Sequence, residues 1–362
     1  MDRRRLLTTA ALPLIAFSSK AFADTNRGGN MSQPTQRIIE TNGIRLNVAE
    51  QGEGPVVLLC HGFPESWYSW RHQIGALAAA GFHAVAPDMR GYGKSDAPTA
   101  IDQYTLFHLI GDMVGLLDAL NAKTAVIVGH DLGARVAWQA AQMRPDRFRG
   151  VAGLSVPFTP RGNARPTSAM PKTENAQFYQ LYFQEPGPAD AELGRDPRST
   201  IRNMLFGASG EGAAAARSAV ASGGAAPSLG MVPKGGGFLQ GPGAPAALPA
   251  WITESDVDFY AAEFKRTGFT GALNWYRNFD RNWELQGSLQ GAAVTVPALY
   301  VAGDRDFVVS APGMDQLLAN LKRFVPALRK TQMIPGCGHW TQQERPGEVN
   351  AAIIEFIRSL PS

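Results

Sequence analysis

Three short stretches carry residue types able to make and break a covalent bond. The first, VIVGHDLGARVAW from Val126 to Trp138, centres on Gly129-His130-Asp131-Leu132-Gly133. Its spacing is that of a G-x-S-x-G nucleophile elbow, with an aspartate in the serine position. The second, GDRDFVV from Gly303, offers two acids, Asp304 and Asp306; the third, GCGHWTQQERP from Gly336, offers His339. Together they suit covalent catalysis by a carboxylate, with a histidine to activate water and a second acid to orient the histidine. Two backbone amides are candidates for stabilising an oxyanion: Leu132 N–H, at the start of the helix after the elbow, and Phe63 N–H in His61-Gly62-Phe63-Pro64. An aspartate before a helix is also an ordinary N-cap, so the elbow gains its meaning from the other segments.

These residues need a scaffold that brings distant loops together. Ile44–Ala49, Pro55–Cys60, Phe82–Pro87, Thr124–Gly129, Phe148–Ser155 and Val296–Gly303 read as strands, and most are short apolar runs of the kind buried on both faces. Between and after them, Ser66–Ala80, Tyr104–Leu120, Leu132–Gln142 and Gly347–Ile357 have helical spacing. That alternation predicts an α/β protein with a mostly parallel, doubly wound sheet. Each candidate segment follows a strand or precedes the last helix, so the loops converge where such sheets bind ligands. The expected organisation is a core over residues 37–156, an inserted helical cap over 157–285 with a Gly/Ala-rich surface loop at 207–249, and a second core part over 286–362.

The N-terminus is read separately. MDRRRLLTTAALPLIAFSSKAFA has a basic start, a short apolar run and Ala21-Phe22-Ala23, the layout of an export signal over residues 1–23. Arg3-Arg4-Arg5-Leu6-Leu7 resembles a twin-arginine motif, so a periplasmic or secreted protein is expected, with residues 24–36 as a linker and no stable membrane anchor after cleavage. The full chain of 362 residues has a net charge of +3. Removing Arg3, Arg4, Arg5, Lys20 and Asp2 leaves basic and acidic residues equal in number, and the case for a nucleic-acid partner goes with them. The two cysteines, Cys60 and Cys337, are expected as buried free thiols, and the six histidines show no metal-ligand spacing. No metal or other cofactor is expected. Oligomeric state is not legible.

HGFPESWYSW, PDMRGYGKSD, GHDLGA, FYQLYFQEPG, TGFTGALNWYRNFDRNWEL and GCGHWTQQERP resemble segments of the soluble epoxide hydrolases of the α/β-hydrolase fold. The likeness runs from about Ile38 to Ser359 and is weakest in the Gly/Ala-rich part of the cap. It implies Asp131 as nucleophile, His339 as base and Asp306, over Asp304, as the orienting acid. It also implies that Tyr179 and Tyr276 of the cap point at the nucleophile, with Tyr182 as the fallback, and that Phe63, Pro64, Trp67, Leu132, Gln180 and Trp340 line the pocket. The implied substrate is a small epoxide, opened to a vicinal diol. An epoxide has no carbonyl, so attack by Asp131 creates an ester whose carbonyl belongs to the enzyme, and water can hydrolyse it. A phenol, neutral at pH 7, suits the alkoxide that ring opening generates. His130 is expected to be a structural hydrogen-bonder. The competing expectation is a haloalkane or haloacetate dehalogenase using the same Asp-His-Asp set. Many relatives carry tryptophan after the nucleophile, an indole that holds halide in dehalogenases; Leu132 removes that donor.

Overall fold

In the computed structural model, residues 33–223, 230–239 and 243–361 are described. The export segment at 1–23 and most of the expected linker lie outside them. The strands are β1 Thr35–Thr41, β2 Ile44–Gln51, β3 Val56–Cys60, β4 His83–Pro87, β5 Ala125–His130, β6 Phe148–Leu154, β7 Ala176–Phe178, β8 Met231–Pro233, β9 Ala298–Gly303 and β10 Leu328–Ile334. Eight of them form one sheet in the order β1-β2-β4-β3-β5-β6-β9-β10. It is parallel from β4 to β10, with β1 and β2 added antiparallel at one edge. β7 and β8 pair on their own.

The helices that complete the core are α1 Arg71–Ala79, α2 Leu106–Ala119 and α3 Leu132–Met143. The cap contributes α4 Pro166–Ala169, α5 Tyr179–Tyr182, α6 Pro188–Gly194, α7 Pro197–Gly207, α8 Gly210–Ala221, α9 Glu254–Thr267, α10 Thr270–Arg277 and α11 Phe279–Leu285. The chain then returns to the core with α12 Met314–Ala319, α13 Leu321–Phe324, α14 Thr341–Glu344 and α15 Pro346–Arg358.

Successive side chains of a strand face opposite sides of the sheet. On β5, Ile127 joins the core that includes α2, α3 and the cap, while Val126 and Val128 join the one that includes α1 and α15. With both faces covered, the sheet's central strands are apolar up to His130 at the end of β5, and their C-terminal ends carry the loops with Phe63, Asp131 and Asp306.

Two expectations need correction. The stretch at 207–249 is not all loop, because Gly210–Ala221 forms α8 and Met231–Pro233 forms β8. The alanines of GEGAAAARSAVA are the strongest helix formers, and Ser209 caps the helix by accepting from Gly212 N–H. The expected linker also ends early, since β1 starts at Thr35. No helix among the described residues is long and apolar enough to cross a membrane.

Candidate active site

Only Asp131 separates the end of β5 from the start of α3, so the chain must reverse direction within one residue. Its backbone takes φ 50°, a left-handed conformation that costs a non-glycine residue on the order of 1–3 kcal/mol. Neighbouring glycines make the bend possible. A Cβ on Gly129 would lie 2.2 Å from Gly133 O, and one on Gly133 would lie 2.1 Å from Cys60 O. A Cβ on Gly62 would come within 2.5 Å of both Asp131 Cβ and Oδ1. The loop after β3 can therefore lie directly against the nucleophile candidate, and Phe63 N–H donates to Asp131 Oδ1 at 2.9 Å. Leu132 opens α3, so its N–H is among the amides that have no partner within the helix.

His339 sits between β10 and α14, nearly closed off from solvent. Its Nε2 lies 3.7 Å from Asp131 Oδ2. Its Nδ1 donates to Asp306 Oδ1 at 3.1 Å and is 2.9 Å from Ser155 Oγ. Asp306 is fully buried and also accepts from Val308 N–H at 2.9 Å. Burial alone would push its carboxyl up; the facing His339 and these hydrogen bonds outweigh burial and hold it below the usual carboxylate range. Asp304 is exposed and accepts from Gly336 N–H at 2.7 Å, so it ties the turn that leads to His339.

Two buried glutamates, neither singled out by motif reading, hold this geometry. Glu65 accepts from Gly62 N–H at 3.0 Å and faces His130 Nδ1 at 2.7 Å. His130 Nε2 in turn reaches the backbone oxygen of His339 at 2.7 Å. Both ring nitrogens of His130 thus meet acceptors, which fits a doubly protonated ring and leaves it no part as a base. Burial opposes the His130 cation, but Glu65 prevails and raises its pKa to about 9. Glu344 accepts from Gly338 N–H at 2.8 Å, Trp340 N–H at 3.0 Å and Gly210 N–H at 2.9 Å. It thereby joins the His339 loop to the first turn of α8. The only sequence signals were two acids beside the HGFP and GHW stretches.

The cap supplies the phenols. Tyr179 and Tyr276 come from α5 and α10, with ring centroids 6.2 Å apart. Tyr276 meets the Phe63 ring edge-on at 5.4 Å, and its hydroxyl has no hydrogen-bond partner among the described residues. Tyr179 Oη accepts from Gln180 Nε2 at 2.9 Å. Burial raises both phenol pKa values, and the Asp131 carboxylate raises them further, so both remain protonated donors. Tyr182 points elsewhere and donates to Glu192 Oε2 at 2.9 Å.

The expected pocket residues divide. Phe63 and Leu132 are buried in the apolar core that contains Tyr276, and Pro64 is buried beside Phe63. Trp340 packs edge-on against His339 at 4.7 Å, with Nε1 donating to Leu205 O at 2.7 Å. Trp67 is not brought to this group. Ser66 starts a 3-10 turn at Trp67, and the indole packs against Tyr68 and Phe259 in the core on the opposite face of the sheet. Cys60 and Cys337 are buried free thiols, and burial pushes both thiol pKa values far up.

Residues 55–346 match the alpha/beta hydrolase fold family. The chain is similar to Epoxide hydrolase A of Mycobacterium tuberculosis (strain ATCC 25618 / H37Rv), 49% identical over 91% of this chain and 99% of that one. It is also similar to Epoxide hydrolase 3 of Siraitia grosvenorii, 42% identical over 90% and 99%. Among solved structures, Epoxide Hydrolase A from Mycobacterium thermoresistibile aligns with a TM-score of 0.81 at 48% identity, covering 91% and 99%. An epoxide hydrolase from an endophytic Streptomyces aligns with a TM-score of 0.84 at 42% identity, covering 90% and 96%.

Proposed function

The chain belongs to the epoxide hydrolases of the α/β-hydrolase fold, and from that premise we propose a two-step reaction through an ester on Asp131. In the first step Asp131 Oδ2 attacks one carbon of the epoxide and the ring C–O bond breaks. The displaced oxygen takes a proton from the Tyr179/Tyr276 pair, whose tyrosinate is stabilised by the second phenol. In the second step His339 Nε2 removes a proton from water as that water attacks Asp131 Cγ. The electron pair moves onto Oδ1, where the amides of Phe63 and Leu132 receive it. Collapse breaks the Cγ–Oδ2 bond, and the leaving oxygen takes the second proton of the added water, which releases the vicinal diol and leaves Asp131 as a carboxylate. The proton held by His339 returns to tyrosinate, which restores the resting site. Asp306 keeps Nδ1 protonated and steadies the imidazolium throughout.

The division of labour at one carboxylate carries this reading: Phe63 N–H holds Oδ1, while His339 stands near Oδ2 with Asp306 behind it. Placement outside the cytoplasm is part of the proposal and rests on the twin-arginine-like segment at the N-terminus. The decisive experiment is His339→Gln treated with an aryl epoxide. Intact-protein mass spectrometry should find the substrate mass added, and peptide mapping should find it on Asp131. Substrate binding without any adduct would refute the ester.

A further inference from the structure

The backbone of His339 is held from two sides. Its oxygen accepts from Thr341 Oγ1 at 3.1 Å and faces His130 Nε2 at 2.7 Å, both supplied by the core. Its N–H donates to Ala208 O at 2.9 Å, and Ala208 belongs to the cap, where it and Ser209 join α7 to α8. Trp340 repeats the link, with Nε1 donating to Leu205 O on α7. The base loop therefore rests on the cap as much as on the core.

The contact is backbone against backbone. A Cβ on Gly210 would lie 2.1 Å from Gly336 O, and one on Gly338 would lie 2.3 Å from Gly210 N. No side chain fits between the two turns. Glu344 closes the joint: buried at the end of α14, it accepts from Gly338 and Gly210 N–H at Oε2 and from Trp340 N–H at Oε1. Two of these donors flank His339 in the chain, and the third opens α8. The groups that favour the charged form of Glu344 are those three amides. Such a set of donors suits a carboxylate, because a glutamine would turn its NH₂ on Trp340 N–H or on the two glycine amides.

We propose that Glu344 is a positioning residue for the second half of the reaction, through which the cap sets where His339 stands when water attacks the ester. The inference rests on the two-step reading. Ring opening uses Asp131 and the two phenols, which β5, α5 and α10 position without a bond to Glu344. Ester hydrolysis uses His339, whose loop Glu344 holds. Loosening the joint slows the second step and spares the first.

The test follows both steps by rapid quench and intact-protein mass spectrometry, with an aryl epoxide in excess, on the wild type, Glu344→Gln, Glu344→Asp and Gly210→Ala. Glu344→Gln should form the Asp131 ester within about threefold of the wild-type rate and hydrolyse it about 100-fold more slowly, the scale of a 1 Å misplacement. Most of that enzyme should then stand as ester in the steady state. Gly210→Ala, a change in the cap that leaves Asp131, His339 and Glu344 intact, should show the same split. Glu344→Asp keeps the charge and should recover part of the hydrolysis rate. A merely structural role would lower the folded fraction without changing the ratio of the two rates. Equal slowing of both steps, or hydrolysis at the wild-type rate, in Glu344→Gln or Gly210→Ala would overturn the positioning role. If Glu344→Gln does not fold, Gly210→Ala decides. An ester in none of these proteins nor in His339→Gln overturns the two-step reading instead, a result distinct from an ester that every variant hydrolyses at the wild-type rate.

Discussion

Replacing Glu65 with glutamine changes almost no volume but should destabilise the protein sharply and in a pH-dependent way. Glu65 and His130 have no solvent exposure. Four donors converge on the Glu65 carboxylate: Gly62 N–H and His130 Nδ1 at Oε2, and the side-chain amides of Gln342 and Gln343 at Oε1. A carboxamide has one oxygen and one NH₂, so whichever way it turns, two donors lose their acceptor and face another donor. His130 also loses the counter-charge that raises its pKa from 6.5 to about 9. A folded pKa above the unfolded one adds stability that is complete below pH 6.5 and is lost as pH rises through about 9. The gap corresponds to roughly 3 kcal/mol. Breaking a buried pair on one side costs about 3–5 kcal/mol, or roughly 4–7 °C in Tm for a domain of this size. Thermal unfolding followed by circular dichroism from pH 6 to 10 is the assay. The Tm gap between wild type and Glu65→Gln should be widest at pH 6 and shrink as pH rises through about 9. Equal melting temperatures at pH 7, or a gap that stays constant through pH 10, would refute the account of His130 as a buried cation.

Tyr179→Phe with Tyr276→Phe removes both phenol protons while leaving the rings that pack on Phe63 and Phe183. Ring opening should slow by roughly 100- to 10,000-fold, the range for loss of a general acid, with the circular dichroism spectrum unchanged; diol formation at the wild-type rate would mean that other groups donate. Gly62→Ala should fold but lose about 100-fold in kcat, because the new Cβ would crowd Asp131 Oδ1 at 2.5 Å and displace it from Phe63 N–H. Full activity in that variant would show that the contact between these two loops is not required.

The parallel core was readable because its strands are continuous apolar runs, such as Val56–Cys60 and Ala298–Gly303, bounded by glycine or charge. β10 escaped because it lies at the sheet edge and reads LRKTQMI, with most side chains in solvent and no apolar run to detect. α8 escaped for the opposite reason: a glycine- and alanine-rich composition suggested a linker, whereas local propensity and a serine cap favoured helix. Asp131, Asp306 and His339 were legible because each sits in a short motif at the end of an element. Glu65, Ser155 and Glu344 act across the sheet, through contacts between residues far apart in the chain, and no local pattern marks such contacts. Trp67 was misplaced because nearness to Phe63 in sequence says nothing about which face a 3-10 turn presents.

The distances around Asp131 bear on the order of events. Phe63 N–H on Oδ1 at 2.9 Å is a full hydrogen bond, whereas 3.7 Å from His339 Nε2 to Oδ2 is too long for one. The carboxylate is thus held at one oxygen while the other, unencumbered, has the higher electron density available for attack. Once Oδ2 has bonded to carbon, Oδ1 becomes the ester carbonyl oxygen and already lies against an amide donor. The same amide is therefore in position before charge reaches that oxygen in the second step, so no donor has to reorganise. Hydrolysis in oxygen-18 water over many turnovers should place the label in the Asp131 carboxylate, since each cycle transfers Oδ2 to the diol and replaces it from water. If diol accumulates while residue 131 keeps its original oxygens, water attacks the substrate directly, and the carboxylate acts as a base rather than a nucleophile.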